Sequence, residues 1–333
     1  MLKFPLIILP LFAVLGSLPA CQTLQFYRQA VGGQLEILSK SRPNSEVIQD
    51  PKTTPVIRRQ LMAVENIRKF ARDFLSLPGA ASYGKYADLG REHVVWVLYA
   101  APEFSVKPKT WHYPAIGEMD YRGYFREQET TALAHELKAA GYDVFVGGVD
   151  AYSTLGWFHD PVLNTFVSLS DIDLAETIFH ELTHRKIFHS GDTAFNECLA
   201  NTVAEEGVQR WLRHHHRLID LKKYQGRLLR RREFYREIDH TRHDLEALYA
   251  SPLSVPVMRE RKAAILADLR DHFRKLRRRW GGHGLEAWLH EDLNNGHLIS
   301  LKIYADQMPA LAKHLADCDG DLDLFFKQLA RRK

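Results

Sequence analysis

The feature that most constrains this chain is a pair of histidines four residues apart, His180 and His184, with Glu181 between them. Each residue of an α-helix turns by about 100°, so side chains four positions apart differ by roughly 40° and share one face. Both imidazoles can then bind one zinc ion, and the carboxylate beside them can take a proton from a water that the ion holds. The surrounding residues are mostly apolar, so we predict a largely buried helix over residues 175–188. The competing interpretation is a helix with two surface histidines.

A catalytic zinc site takes three protein ligands and leaves a fourth position open. Gly191 can end the first helix and Asp192 can cap the next, so we predict a second helix over residues 192–213, antiparallel to the first. Residues equidistant from the turn of such a pair face each other, which makes Glu197 level with His184. We therefore predict that the two histidines and Glu197 bind one Zn²⁺ per chain. The alternative for this glutamate is an ion pair with a basic residue at the end of the first helix.

The hydrophobic pattern predicts a mixed first half and a helical second half. Apolar runs over residues 94–99, 143–149 and 162–169 are typical of strands, and the last run alternates between two faces. The rest is predicted to be nearly all helix, with a long pair over residues 218–249 and 256–280. This order favours an α+β fold, in which a small mixed sheet packs on the zinc-binding helix pair and a largely helical half with a long helical hairpin follows.

The charge of the chain is concentrated in the long helical pair. The 45 basic and 41 acidic residues give a formal charge of +4, too small a surplus to indicate a nucleic-acid partner. Residues 207–280, however, carry more than twice as many basic as acidic side chains. Such a segment is either a solvated helical face or a surface that meets phosphate groups.

The N-terminus has the form of an export signal. Lys3 precedes an almost wholly apolar run over residues 4–18, which is short for a membrane span and contains two prolines. A small residue precedes Cys21, and the segment looks like a bacterial lipobox. By that resemblance residues 1–20 are removed, Cys21 carries lipid, and Gln22 after it favours the outer membrane, facing the periplasm. The alternative is an ordinary secreted protein with a free cysteine.

The zinc motif, taken together with Asn196, Glu197 and Ala200, resembles the glutamate-type zincin (gluzincin) pattern. More narrowly, the chain resembles the bacterial "putative aminopeptidase" family of zinc-dependent lipoproteins, over nearly the whole mature chain. The resemblance implies a zincin-like fold and peptide hydrolysis at the cell envelope. The motifs that carry it, besides the zinc motif, lie at residues 114–125, 151–161 and 293–295.

The chain departs from the gluzincin pattern in two ways. The second histidine and the glutamate are closer in sequence than is typical of that group. Asn201 stands where an aspartate often orients a ligand histidine, and a neutral amide raises the basicity of an imidazole less than a carboxylate does. Glu176, one helical turn before His180, is the alternative carboxylate for that task.

Zincins also need a donor to the oxyanion that forms when water attacks the carbonyl. By resemblance, Tyr304 is the first choice for this donor and Tyr152 the second. An edge strand often binds the peptide in such clefts, and we expect residues 162–169, with the preceding loop that contains Trp157, to form that wall. A plain hairpin is the alternative.

An aminopeptidase must also hold the free α-ammonium group of its substrate, and a carboxylate near the cleft would do so. Asp160 is our candidate for substrate binding, with Glu118 and Asp120 as the other acidic side chains considered. Two cysteines remain besides Cys21, so at most one disulfide can form in the folded part.

The expected function is zinc-dependent peptide-bond hydrolysis, as an aminopeptidase on small peptides, with the N-terminal lipid as the membrane contact and no nucleic-acid partner. Alternatives are a zinc endopeptidase acting on envelope proteins and a non-catalytic envelope-assembly lipoprotein; the intact Glu181 favours an enzyme. The predicted divisions are a signal peptide (1–20), a lipid tether and N-terminal helix (21–55), a zincin-like catalytic core (56–213), a basic helical hairpin (214–280) and C-terminal helices completing the cleft (281–333).

Overall fold

The computed structural model describes residues 18–78, 82–113, 117–151, 159–301 and 308–330. Among the helices in these ranges, none is both long and apolar enough to cross a membrane. The elements before the metal-site helices are α1 (Leu18–Lys40), β1 (Arg42–Pro43), α2 (Asn44–Gln49), α3 (Pro55–Phe74), β2 (Lys85–Ala87), β3 (Val95–Pro102), β4 (Trp111–Tyr113), β5 (Gly117–Met119), β6 (Arg122–Tyr124), α4 (Glu127–Ala139), β7 (Tyr142–Val149), β8 (Val162–Leu163) and α5 (Asn164–Val167). They are followed by α6 (Asp171–Lys186), α7 (Thr193–His214), α8 (Leu218–Tyr249), α9 (Val255–Arg279), α10 (Glu286–His290), α11 (Asn295–Ser300), α12 (Met308–Asp317) and α13 (Leu322–Leu329).

The predicted α+β class is confirmed, but the β-structure in the described ranges forms three small sheets rather than one. In the largest, β3 lies between β6 and β7 and is antiparallel to both. A second sheet is mixed, because β2 pairs antiparallel with β1 and parallel with β8. The third is the hairpin of β4 and β5. Strands of two to eight residues therefore support a molecule that is held together mainly by helices.

The strand predicted over residues 162–169 is wrong beyond Leu163. Asn164 starts the short helix α5 because its side chain bonds to backbone groups far away in sequence. Its Oδ1 accepts from the amide of Leu89 at 2.8 Å, and its Nδ2 donates to the carbonyl of Arg91 at 2.9 Å. Such side-chain bonds compete with a strand ladder. The residues therefore do not form the edge strand that was expected to bind a peptide.

The main hydrophobic core surrounds the α6–α7 pair and joins both ends of the described chain to it. Side chains of α3 pack on one side of the pair, and side chains of α12 and α13 on another. Members of this core that are fully buried include Leu61, Ile67, Ile178, Leu182, Val203 and Phe325. Cys198 and Cys318 also lie in this core, and both are free thiols.

The predicted long hairpin is confirmed: α8 and α9 form an antiparallel pair. Pro252 lies in the connection between them, and Pro256 lies in the first turn of α9. Its apolar side packs with β3 and α11 in a second core. The junction is polar and closely fitted. Lys262 of α9 pairs with Asp143 of β7 at 2.6 Å and also donates to the carbonyl of Glu103 at 2.8 Å.

The asparagines of the motif at residues 293–295 hold α11 against the largest sheet. Asn294 caps α11 by accepting from the amide of Gly296 at 2.8 Å, and it donates to the carbonyl of Val144 at 3.2 Å. Asn295 is fully buried, donates to the carbonyl of Pro102 at 3.1 Å and accepts from the hydroxyl of Tyr249 at 2.8 Å. This motif therefore has a structural task in the fold.

Two adjacent glycines of α1 provide a test of how this helix packs. A Cβ added to Gly33 would lie 2.1 Å from the ring of Phe125, whereas one added to Gly32 meets nothing within 4 Å. We expect Gly33→Ala to lower the free energy of unfolding by about 1–3 kcal/mol through overpacking. Gly32→Ala should raise it by up to about 1 kcal/mol through helix propensity. Urea denaturation of both variants measures the difference, and equal effects would contradict this packing of α1.

Candidate metal centre

Helix α6 begins at a side-chain cap and is buried along most of its surface. The hydroxyl of Ser170 accepts from the amide of Asp173 at 3.2 Å, which satisfies one of the free donors at the helix start. Polar side chains are buried among the apolar ones: Glu181 is 9 % exposed and His184 6 %. Burial of such groups is costly without partners, so the contacts of these side chains define the site.

The turn between α6 and α7 makes the two helices antiparallel, as predicted. Gly191 has a φ of +81°, a left-handed conformation that favours glycine, and Asp192 caps α7 by accepting from the amide of Phe195 at 3.1 Å. Asn196 closes the turn with two bonds of 2.8 Å, accepting from the amide of His189 and donating to its carbonyl. These contacts fix the register of the pair.

This register brings the side chains of His180, His184 and Glu197 together. Nε2 of His180 lies 3.1 Å from Nε2 of His184 and 3.3 Å from Oε2 of Glu197. Nε2 of His184 lies 3.4 Å from Oε1 of the same glutamate. Among the described residues, these three form a possible metal-binding group, whose donor atoms all lie within 4.8 Å of one another.

The separations suit a tetrahedral ion. Donors about 2.0–2.1 Å from a tetrahedral zinc ion lie about 3.3 Å from one another, close to the three separations above. The charges suit a cation too. Burial opposes the charged form of His180, but the hydrogen bond and charge of Glu197 outweigh it and raise the pKa of His180 to about 9. Burial acts to raise the pKa of Glu197, yet the two imidazoles hold it well below its usual range. The donors therefore fit a single divalent cation.

Asn201, one turn after Glu197 on α7, lies against the far side of one ring. Its Oδ1 is 3.2 Å from Nδ1 of His180, so it accepts a hydrogen bond from the N–H at that position and leaves Nε2 to face the other donors. Nδ1 of His184 is buried and has no hydrogen-bond partner in the described part of the chain. Packing therefore sets the orientation of this second ring.

Glu176 does not take the alternative role that was considered for it. Its Oε1 lies 2.6 Å from Arg231 and its Oε2 2.8 Å from Arg227, both on α8. Arg231 also reaches Glu205 of α7 at 3.5 Å. Helix α8 therefore neutralises acidic side chains in the seam, that is, the interface between α6 and α7, at the end away from the three donor residues. Arg227 and Arg231 are thus not part of a free solvated face.

Glu181 lies on α6 beside the donors without being one of them. Burial raises the pKa of its carboxyl, the charges of His180 and His184 lower it, and those of Glu197 and Asp160 raise it again; the net direction is upward. A buried carboxylate beside the donor histidines is placed to take up a proton and pass it on.

Asp160 is the acidic substrate-binding candidate whose charge reaches the site. It is 4 % exposed, its carbonyl accepts from the amide of Tyr83 at 2.7 Å, and its charge raises the pKa of both Glu181 and Tyr83. Glu118, in contrast, lies exposed on β5 beside His112 at 3.2 Å. The charge of Asp120 acts on Tyr99.

Two tyrosines close to the centre were missed by the sequence analysis. The ring centroids of Tyr99 and Tyr121 are 5.6 Å apart. Burial raises the pKa of both, and the charge of Glu197 raises each further. The charge of Glu181 also raises the pKa of Tyr121. Tyr121 belongs to the motif at residues 114–125, and membership of this motif is the sequence signal that could have identified it as a site residue. Tyr304, Tyr152 and Trp157 lie outside the described residues, as does the side chain of Cys21.

The geometry defines a class of site: three donors on two antiparallel helices, with a buried carboxylate beside them. A family model described as "putative aminopeptidase" matches residues 25–333, and the chain belongs to that family. Searches of curated proteins and of solved structures found no match. The family description supports a peptidase, in agreement with the expectation from the motifs.

Replacing one oxygen donor tests the metal centre. We expect Glu197→Gln to lower zinc affinity by more than the 10–100-fold that changes to outer partners typically cost, because the anionic donor is lost. The matched control is Glu206→Gln on the same helix, where the side chain pairs with Arg210 at 2.8 Å and touches none of the donors. Titration with zinc by calorimetry measures both. Equal zinc affinity in wild type and Glu197→Gln would rule out this ligand set.

Proposed function

We propose that the protein is a zinc-dependent aminopeptidase that hydrolyses small peptides at the bacterial cell envelope, with a gluzincin-like centre of one Zn²⁺ per chain. The observation that carries the proposal is the group formed by His180, His184 and Glu197 with Glu181 beside it, in a chain of a family named for aminopeptidases. A binding protein has no need of a buried base at this position.

When bound, a zinc ion at this centre would lower the pKa of a water molecule towards about 7 and polarise the substrate carbonyl. Glu181 takes the proton of the attacking water and delivers it to the nitrogen of the departing amine. Its burial and its position on α6 between the two histidines suit it to both steps. His180 is held by Asn201, so its Nε2 is directed towards the other donors before substrate binds.

The oxyanion that develops on the carbonyl needs a donor opposite the base. Tyr304 and Tyr152 remain the candidates from the sequence. Tyr121 is a further candidate, because the charges of both Glu181 and Glu197 act on its phenol and raise its pKa. Burial keeps this phenol protonated, and a protonated phenol can donate a hydrogen bond.

Asp160 favours exopeptidase over endopeptidase action. A buried carboxylate whose charge reaches the base is suited to bind the α-ammonium group of a peptide, and this would place the first peptide bond at the centre. Trp157 and Tyr152 belong to the same proposed substrate side. The endopeptidase alternative predicts no dependence on a free α-amino group.

We further propose that Cys21 carries lipid and anchors the chain to the outer membrane, on its periplasmic side. The lipobox-like sequence supports this location. Stable anchoring would need a second contact besides a single acyl chain, since one chain gives only marginal binding.

Removing the base tests the mechanism. We expect Glu181→Gln to keep the bound zinc but to lower hydrolysis of peptides by about 10²–10⁴-fold, because the attacking water loses its proton acceptor. Glu206→Gln, whose side chain pairs with Arg210 at 2.8 Å, should retain full activity. Metal analysis and kcat/KM report the two properties separately, and a chelator should abolish wild-type activity until zinc is returned. Unchanged hydrolysis in Glu181→Gln would refute the mechanism.

Removing the proposed ammonium anchor tests the substrate class. Asp160→Asn should lower kcat/KM for peptides with a free N-terminus by at least about tenfold, because a charged hydrogen bond is lost. N-acetylated peptides should be poor substrates of the wild type, and their slow hydrolysis should not fall further in the variant. If the wild type hydrolyses blocked peptides as well as free ones, the endopeptidase alternative is correct.

A further inference from the structure

Helix α1 presents an exposed apolar stripe that the proposed function does not use. Tyr27, Val31, Leu35 and Leu38 are 38 %, 58 %, 59 % and 36 % exposed. At about 100° per residue these positions fall within an arc of roughly 80°, and they extend about 16 Å along the helix axis. Exposed apolar residues scattered singly are normal, but four on one line of one helix mark an interaction surface.

The opposite face of α1 is already occupied. Phe26 and Ile37 are buried, and the ring of Phe26 lies 5.4 Å from that of Tyr124 on β6. Gly33 faces Phe125 so closely that a Cβ would not fit. The packing against the body of the protein thus fixes the rotation of α1 and leaves the stripe facing outward.

The exposed charged side chains of the cleft beside α1 are basic. Arg28 is exposed next to the stripe, and it lines a cleft of about 620 Å³ together with Arg91 and Arg126. The cleft also contains Glu36 and Glu129, so its net charge is +1. Glu36 is paired with Arg91 at 2.8 Å. In this cleft the acidic side chains are therefore partly buried, and the exposed charges are those of Arg28 and Arg126.

The position of the stripe relative to the predicted lipid favours a membrane surface over a protein as its partner. Tyr27 is six residues after Cys21, about 9 Å along the same helix. Acyl chains at Cys21 would hold this helix end at a membrane, where an apolar line with exposed arginines beside it fits the boundary between acyl chains and anionic headgroups. A protein partner on the stripe would have to compete with this membrane surface, because the stripe begins only about 9 Å along the helix from Cys21.

We propose that α1 lies along an anionic phospholipid surface, with Tyr27, Val31, Leu35 and Leu38 facing the lipid and Arg28 and Arg126 meeting headgroup phosphates at its edge. The acyl chains attach the protein, and α1 sets the orientation of the folded body above the bilayer. The inference rests on the proposed lipid anchor, but not on the peptidase activity.

The test places a nitroxide label at Leu35→Cys in the full, membrane-extracted protein, reconstituted into vesicles of phosphatidylethanolamine and phosphatidylglycerol. The matched control is Met62→Cys on α3, which is 55 % exposed compared with 59 % for Leu35. Both native thiols of the folded body are buried. At residue 35 we expect strong relaxation by oxygen and weak relaxation by a water-soluble nickel chelate, with the reverse at residue 62.

A second variant checks that the stripe causes this placement. Val31→Glu in the Leu35→Cys protein should lower the ratio of oxygen to nickel accessibility by on the order of tenfold, because a charged group at this depth is costly. Met62→Glu should not change the ratio. Both positions are exposed, so the fold should be retained, and circular dichroism verifies this.

The mass of the N-terminal peptide reports acylation of Cys21 independently, so failure of the anchor is distinguishable from failure of the docking face. If the anchor is present and residue 35 is as accessible to nickel as residue 62, the inference is wrong. Dipolar coupling between two labels at residue 35 would also overturn it, since the stripe would then be covered by a second copy of this chain.

Discussion

The structure depends on the packing of α6 against α7 with polar side chains buried in the seam between them. The surrounding core is apolar, so every charged group in this seam must find a partner within it. At one end the partners are the two imidazoles and Glu197, and at the other they are Glu176, Glu205 and the arginines of α8. Arginine side chains therefore neutralise the carboxylates at one end of the seam, and the three donor residues at the other end can hold a cation.

The basic helix α8 explains why so much positive charge is tolerated in one segment. Arg227 pairs with Asp173 and Glu176, and Arg231 with Glu176 and Glu205. Burial raises the pKa of Glu205, while the charges of Arg231 and Arg232 act to lower it; the net direction is upward. A partly buried network of this kind is costly to break, because removing one member leaves an unpaired buried charge.

The helix pair and its donors were predictable because they follow from local geometry. Glu197 is opposite His184 by the periodicity of two helices and the position of Gly191, and all three are close in sequence. The end of β8 at Leu163 was not predictable, because the amide of Asn164 bonds to backbone groups more than seventy residues earlier. The same reason applies to Glu176, whose arginine partners follow more than fifty residues later. It also applies to Tyr121, because Glu181 and Glu197, whose charges act on it, follow far later in the sequence.

The two helices that carry the donors are joined by a turn of a few residues, and this has a consequence for maturation. Closing so short a loop costs little conformational entropy. The two helices can thus meet, and bring His180, His184 and Glu197 together, before the distant C-terminal segments have docked. Any cation bound by these side chains would then favour the antiparallel register and bias the remaining chain towards the native topology.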